Sequence, residues 1–291
     1  MNIIERICWN ITSECNENCK FCFRKKHQNE LTFEQQKRAI DILSDCEIKH
    51  ITFSGGEALL VKNLLNLIEY CKSKHFSVNL ITNGKILDKE LISKIYDKID
   101  SISLPIDNIN TTMLINGKPV GRQSEQLYTI EKCLKLLSHY PNLQVKINTV
   151  ATKFNYLHII DIYDKIIKDN NQISKWNIFE FTPLRDDAKN NRDLFELSKN
   201  EFQDLKDILV ARKNNNGFRK NLSIRVKSKY AICKSYLVIM PNGDFVVDDE
   251  SDEEYVVANI FDSNLKKLLN NLQLDFEIYK KRQQVDSLII V

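Results

Sequence analysis

The sequence predicts a parallel α/β architecture with right-handed crossovers, on two observations. Short β-rich runs alternate with helical patterns over the first 184 residues. The chain, 291 residues with 43% hydrophobic side chains, is long enough to bury a large core. The β-rich runs are Ile4–Trp9, Ile51–Phe53, Val78–Thr82, Ile102–Leu104, Val145–Val150 and Trp176–Phe181. Between them, Thr32–Leu43, Val61–Cys71, Asp88–Tyr96, Glu125–Leu137 and Tyr156–Ile167 read as helices. The first opens on a capping box, Thr32 with Gln35 three residues later. It sets Phe33, Ala39, Ile40 and Leu43 roughly on one face.

After Pro183 the rhythm changes. Leu184–Asp193 is polar and charged and reads as a loop. Ser198 and Glu201 form a second capping pattern that starts a helix towards Val210. The basic, asparagine-rich stretch Arg212–Lys220 reads as another loop. Leu237–Met240, the turn Pro241-Asn242-Gly243 and Phe245–Val247 read as a β-hairpin. The acidic run Asp248–Glu254 is expected to be a solvated loop rather than a metal site, and Asn264–Leu274 a helix. With no fixed-period repeat and no low-complexity linker, the expected division is a core over residues 1–184 and an extension over 185–291 packed on it.

Charge narrows the function classes. The 42 Lys and Arg against 39 Asp and Glu give +3, so no strong field for polyanions is built in. Nucleic-acid or membrane binding by bulk charge is disfavoured, although a local basic pocket is not. The opening MNIIERICWN has no apolar run fit for a signal peptide or membrane span, so a cytoplasmic protein is expected. Eight cysteines without an export signal do not make a disulfide framework. Cys8, Cys46, Cys71, Cys133 and Cys233 are scattered and expected to act as small buried apolar residues. Seven glycines, where roughly twenty would be average, direct attention to Gly55, Gly56, Gly84 and Gly121.

Cys15, Cys19 and Cys22 stand apart in the polar loop TSECNENCKFCF after the first strand. A structural zinc site takes four ligands, and the nearest candidate fourth is His27. A 4Fe–4S cluster on three cysteines instead leaves one iron open to a non-protein ligand. The x3, x2 spacing, with Phe21 before the last cysteine, resembles the signature of radical S-adenosylmethionine enzymes. Ser54-Gly55-Gly56-Glu57 after the second strand and Thr82-Asn83-Gly84 after the third fit that family's order. All three segments fall at carboxyl ends of strands, where parallel α/β folds gather their sites.

The resemblance implies a partial (βα)6 parallel barrel with a C-terminal α+β extension covering the active site. It implies a 4Fe–4S cluster on Cys15, Cys19 and Cys22, and S-adenosyl-L-methionine held by Phe21, Ser54, Gly55, Gly56, Glu57, Thr82 and Asn83. Arg122 is a candidate partner for the methionine carboxylate. One electron from the reduced cluster would cleave the sulfur–carbon bond, giving methionine and a 5′-deoxyadenosyl radical that takes one substrate hydrogen. The electron would come from a donor such as flavodoxin or ferredoxin.

The fuller resemblance is to the viperin branch, which modifies nucleotides in antiviral defence. It rests on CNENCKFCF, ITFSGGE, KINTV with Phe154-Asn155, Trp176 with Phe179, and Ser235-Tyr236-Leu237, from Cys15 to about Lys281 with gaps. It implies dehydration of a ribonucleoside triphosphate to its 3′-deoxy-3′,4′-didehydro product. The ribose C4′ hydrogen is taken, the 3′ hydroxyl is lost, and one electron and one proton are added. Lys146 and Lys175 would bind phosphate, and Tyr236 would donate the proton. His50 and Asn177 occupy substrate positions where the branch carries lysines, which removes two cations from the grip on about four negative charges. Arg24, Lys25, Lys26 and Lys49 are the candidates to compensate. Two other readings stay open: a family member acting on a peptide or RNA, with a C-terminal extension that keeps only Cys233 and so no auxiliary cluster, and a non-catalytic zinc-binding protein.

Overall fold

Strict alternation of strand and helix carries the chain through its first half. The computed structural model describes residues 4–26, 29–109, 114–115, 118–122, 125–248, 253–272, 274–281 and 288–290. β1 (Arg6–Thr12), α1 (Phe33–Asp45), β2 (His50–Gly55), α2 (Leu64–Ser73), β3 (Ser77–Ile81), α3 (Lys89–Ile95) and β4 (Ser101–Pro105) follow one another. The predicted capping box closes at α1: Gln35 N–H donates to the Thr32 hydroxyl, and Thr32 N–H donates to the Gln35 side chain. A short antiparallel ribbon, β5 (Leu114–Ile115) and β6 (Lys118–Pro119), precedes α4 (Gln126–Leu137) and β7 (Gln144–Ala151). The helix expected over Tyr156–Ile167 is broken into a 3₁₀ turn, a short α5 (Ile159–Ile162) and a π turn before β8 (Ile173–Glu180).

The second half departs further from expectation. Leu184–Asp193, read as a loop, contains α6 (Asp186–Asn190) and the start of α7 (Arg192–Phe195). Their buried residues Ala188 and Phe195 pack with Cys19, Phe21 and Phe181, so tertiary contact overrides a polar local sequence. α8 (Lys199–Asn214) begins at the predicted Ser198 capping box and runs into the stretch read as a loop. β9 (Ser223–Lys227) and α9 (Lys229–Ser235) were not expected. The predicted hairpin forms as β10 (Val238–Ile239) and β11 (Asp244–Asp248), and β12 (Glu254–Asn259) extends it. α10 (Leu265–Asn270), α11 (Phe276–Lys281) and β13 (Leu288–Ile290) end the described chain.

The acidic run is not simply a solvated loop. Its ends, Asp248 and Glu254, are paired across β11 and β12, and both carboxylates meet the buried Arg185 guanidinium. Residues 249–252 lie outside the described residues.

Among the described residues one eleven-stranded sheet has the order β12-β11-β10-β1-β2-β3-β4-β7-β8-β9-β13. Every neighbouring pair from β10 to β13 is parallel, and only the β10–β11–β12 hairpin runs antiparallel. Strands from beyond residue 185 extend both edges: β10–β12 beside β1, and β9 with β13 beside β8.

The two faces of this sheet differ. Successive side chains on a strand point to opposite faces. Trp9, Phe53, Leu80, Leu104, Ile147, Trp176 and Val226 are buried in one continuous core with Ile40, Leu67, Ile92 and Leu137 of the helices. Most of the intervening positions are polar: His50 and Thr52 on β2, Asn79 on β3, Ser101 and Ser103 on β4, Lys146 and Asn148 on β7, Lys175 and Asn177 on β8. Parallel sheets packed on both faces read as near-continuous apolar runs. This one alternates, so its second face is built for something other than core.

Candidate active site

The loop between β1 and α1 carries three free thiols, Cys15, Cys19 and Cys22. Its two ends are tied down. The Glu30 carboxylate accepts from the Thr12 hydroxyl at 2.8 Å and from Ser13 N–H at 2.7 Å, and Arg24 donates to the Ser13 carbonyl at 2.6 Å. Lys20 N–H donates to the Val120 carbonyl at 2.9 Å, and Cys22 N–H to the Cys19 carbonyl at 3.2 Å. Glu17 N–H points at Cys15 Sγ, 3.4 Å away. Cys19 is 5% exposed among Phe21, Phe181, Ala188 and Phe195. Burial pushes its thiol up to about 12 against the pull of Arg122, and burial also raises Cys15. At neutral pH the bare Cys19 therefore keeps its proton unless a metal takes its place.

These residues fit an iron–sulfur cluster. Soft, unbridged thiols in an apolar setting, with a guanidinium nearby, suit thiolate-bound iron, each cysteine taking a different iron. Among the described residues, no three His, Cys, Asp or Glu side chains converge on a single-ion position. His27, the candidate fourth zinc ligand, lies outside the described residues.

The turn after β2 is seated against the backbone that leads into Cys15. Gly55 has φ +128°, and a Cβ there would lie 2.3 Å from the Thr12 carbonyl oxygen. At Gly56 it would lie 1.9 Å from that of Glu14. Gly56 N–H donates to the Thr12 carbonyl at 2.8 Å and Glu57 N–H to the Glu14 carbonyl at 2.7 Å. The glycines are thus required by close approach, not by turn geometry alone.

The buried Glu57 carboxylate accepts from the Thr82 hydroxyl at 2.7 Å, Asn83 N–H at 2.7 Å and Leu59 N–H at 3.0 Å. It locks the end of β2 to the end of β3. Burial holds this carboxyl above its ordinary range despite those donors. Asn83 in turn donates to the Asn16 side chain at 2.6 Å, with its Nδ2 4.0 Å from Cys15 Sγ. Gly55, Gly56, Glu57, Thr82 and Asn83 therefore come together beside the thiol loop, with Ser54 in register with Asn10 on β1.

Phe21 and Arg122 join them. Phe21 is buried with its ring 5.7 Å from that of Phe195, and the Arg122 guanidinium sits 5.5 Å from the Phe21 ring. Arg122 Nε donates to Asp107 at 2.7 Å, and the other Asp107 oxygen accepts from Val150 N–H at 2.8 Å. Burial works against the charge of Arg122, but Asp107 and the cysteines outweigh it and raise its pKa.

Below the thiol loop, the polar face carries the expected substrate residues. Lys146 donates to the Ser101 hydroxyl at 2.6 Å and to the Asn79 side chain at 3.2 Å. Burial, with Arg6, Lys227 and Arg225 nearby, pushes its pKa down to about 8. Lys175 stands beside it in register, and burial with the same positive neighbours pushes it down to about 7. Asn177 donates to Asn148 at 2.9 Å. His50 is in register with Arg6, and burial lowers its pKa. Tyr236 follows α9, and its hydroxyl accepts from Lys227 Nζ at 2.8 Å.

The expected compensating cations are engaged elsewhere. Lys25 pairs with Glu254, Lys26 with Asp187 and Lys49 with Glu5, while Arg24 holds the loop backbone. Arg6, Arg225 and Lys227 are the cations that reach the polar face instead, and the sequence reading passed over all three. The signal was available in Ser223-Ile224-Arg225-Val226-Lys227, whose alternation marks a strand with one charged face.

Residues 9–166 match the Radical SAM superfamily model. An S-adenosylmethionine-dependent nucleotide dehydratase of Selenomonas ruminantium is 26% identical over 280 residues, covering 94% of this chain and 96% of that protein. A protein of the same description from Flammeovirga pacifica is 24% identical over 296 residues, covering 98% of this chain and 96% of its own. The crystal structure of Streptococcus suis SuiB bound to S-adenosylmethionine matches with a TM-score of 0.70 at 16% identity, over 96% of this chain and 68% of that one. The curled parallel sheet is the half-barrel of that fold. The match spans more than half of the chain and includes the three clustered cysteines, so the chain belongs to the radical SAM superfamily, enzymes whose cofactors are a 4Fe–4S cluster and S-adenosylmethionine.

Proposed function

We propose that this enzyme is a viperin-like nucleotide dehydratase, converting a ribonucleoside triphosphate to its 3′-deoxy-3′,4′-didehydro product for antiviral defence. The observation that carries the reading is the pair of half-buried lysines, Lys146 and Lys175, in register on a polar strand face beneath the thiol loop. The names of the two relatives that match nearly the whole chain support it.

Cys15, Cys19 and Cys22 would hold the cluster, and the turns at Ser54–Glu57 and Thr82–Asn83 would seat the methionine end of the cosubstrate. Together these cofactors supply, when bound, a 5′-deoxyadenosyl radical able to take the ribose C4′ hydrogen. The chain's part is to aim the ribose and manage one proton. Tyr236 would give that proton to the departing 3′ oxygen, which leaves as water. Its hydroxyl accepts a hydrogen bond from the Lys227 ammonium, and a donor of that kind favours the phenolate and so makes the O–H a readier acid. Phe21, Phe181 and Phe195 give the thiol loop an apolar backing that limits water. The segment 185–291 would cover the site, and a flavodoxin or ferredoxin would deliver electrons.

The test is anaerobic incubation of the reconstituted enzyme with dithionite, S-adenosylmethionine and a panel of nucleoside triphosphates. One of them should accelerate 5′-deoxyadenosine formation and yield a product lighter by one water. A flat response across the panel, with acceleration by a peptide or RNA, would overturn the reading.

A further inference from the structure

Arg185, between β8 and α6, has a side chain only 5% exposed and meets two carboxylates. It donates to Asp248, 6% exposed, at 2.7 Å, and through Nε to Glu254. Asp248 and Glu254 face each other across β11 and β12. Six strands stand between β11 and β8, and in a flat sheet those seven spacings would cover about 34 Å. The contact exists because the sheet curls, and Arg185 closes its open side.

The same ion cluster reaches the thiol loop. Lys25, three residues beyond Cys22, gives Glu254 a second cation at 3.1 Å. One guanidinium against two carboxylates leaves a net negative charge, which the Lys25 ammonium cancels. Burial works against the Glu254 charge, but Arg185 and Lys25 outweigh it and lower its pKa. α6 grips the loop as well. Asp186 accepts from Lys26 N–H at 2.6 Å, Asp187 pairs with Lys26 Nζ at 2.6 Å, and Asn191 donates to the Lys20 carbonyl at 3.4 Å. Ala188 packs with Cys19 and Phe21. The backbone that carries this grip is strained: Arg185 has φ +53° and Asp186 φ +26°. Residues with a Cβ hold such values only where their surroundings impose them.

We propose that Arg185 is a positioning residue for the iron–sulfur cluster: it clasps α6 to the β11–β12 hairpin across the open side of the half-barrel and so holds the thiol loop in the form that retains the cluster. The glycine turn after β2 secures one side of that loop, and the clasp secures the other. The inference concerns retention of the cluster and is independent of the substrate. Removing one partner from a buried ion network leaves the others uncompensated, so α6 and the hairpin lose their common anchor. An arginine that served the fold alone would, on removal, loosen the sheet as a whole. A clasp loosens residues 15–26 and 186–191 first.

The test uses the full chain and two readouts. Amide hydrogen exchange is followed segment by segment before reconstitution, and loss of iron to a chelator is timed after anaerobic reconstitution. Arg185→Met should speed exchange over residues 15–26 and iron loss by about tenfold or more, the size of a lost charged hydrogen bond, with exchange in β2–β4 unchanged. Arg185→Lys should recover part of both, since an ammonium can still meet one carboxylate. Lys25→Met, at a half-exposed pair, should act in the same direction by up to about fivefold. Lys189→Met removes the exposed pair with Glu253 between the same two elements and should alter neither readout. If Arg185→Met does not fold, Glu254→Gln keeps the Arg185–Asp248 pair and should give the same local pattern. Exchange that rises equally throughout the sheet overturns the proposal, as does iron loss at the wild-type rate in Arg185→Met or Glu254→Gln, or an equal effect of Lys189→Met.

Discussion

The strands β1–β3 and β7–β9 build the two sides of the half-barrel by opposite means. On the first side the working groups lie in loops beyond the strands, and they are held by backbone: Gly56 and Glu57 N–H groups bond the chain just before Cys15, and Glu57 is consumed in fastening β2 to β3. On the second side they are side chains within the strands, Lys146, Lys175, Arg225 and Lys227, placed by register. On the first side an atom added at Gly55 or Gly56 forces the backbone to shift. On the second, under the proposed function, loss of side-chain ends should lower ligand affinity. A site made from backbone fixes one cofactor geometry, whereas a site made from alternating side chains can be retuned one residue at a time.

The largest expected effect breaks the first side. Cys19→Ala should lower bound iron after anaerobic reconstitution and reduce 5′-deoxyadenosine formation to background. Turnover retained in that variant contradicts the assignment of the thiol loop. On the second side, Tyr236→Phe should slow product formation about 10²- to 10⁴-fold, the range of a lost general acid, while iron content and melting temperature hold. A matching loss of iron would mean that Tyr236 supports the fold and not the proton.

Smaller effects sharpen the contrast. Gly56→Ala puts a methyl group 1.9 Å from a backbone oxygen, and the loop must shift to admit it. The expected cost is about 1–3 kcal/mol of stability, read by denaturant titration, together with reduced iron loading. An unchanged midpoint would show that the turn is not held as tightly as its hydrogen bonds indicate.

The smallest effect is a pH dependence confined to the second side. Burial first, and positive neighbours next, push Lys175 down to about 7 and Lys146 to about 8, against about 10.4 in an unfolded chain. Between these values the unfolded chain binds protons that the folded chain does not. The free enzyme's stability should therefore rise as pH climbs from about 7 towards 10. A bound polyanion favours the charged ammonium groups, so triphosphate affinity should fall over the same climb, by up to about tenfold per pH unit for each proton taken up. Lys175→Met should flatten that slope. A slope unaltered by the substitution would assign the titration elsewhere.

The two sides also differ in how far they can be read from sequence. Cys15, Cys19, Cys22, Ser54–Glu57 and Thr82–Asn83 are legible because thiols and close-approach glycines admit few substitutes, and the spacing survives without knowledge of contacts. The first six strands of the alternation are legible because one face of each is uniformly apolar. β9 is not, since three of its five residues are Ser223, Arg225 and Lys227, and only its partner strand reveals it. The helices over Asp186–Asn190 and Arg192–Phe195 are hidden for a related reason: Ala188 and Phe195 are helical where they dock under Cys19 and Phe21. Arg24, Lys25, Lys26 and Lys49, expected to compensate for the missing lysines, are engaged elsewhere. Arg225 and Lys227 stand in register with Asn177 and Phe179 on the polar face, a placement that only the pairing of β8 with β9 reveals.

The most direct measurement is deuterium transfer from a ribonucleoside triphosphate labelled at C4′ during anaerobic turnover. The account predicts 5′-deoxyadenosine heavier by one mass unit and a labelled substrate that loses water. Unlabelled 5′-deoxyadenosine accompanying product formation would contradict it, because the hydrogen would then come from a position other than the ribose C4′ that the proposed reaction requires.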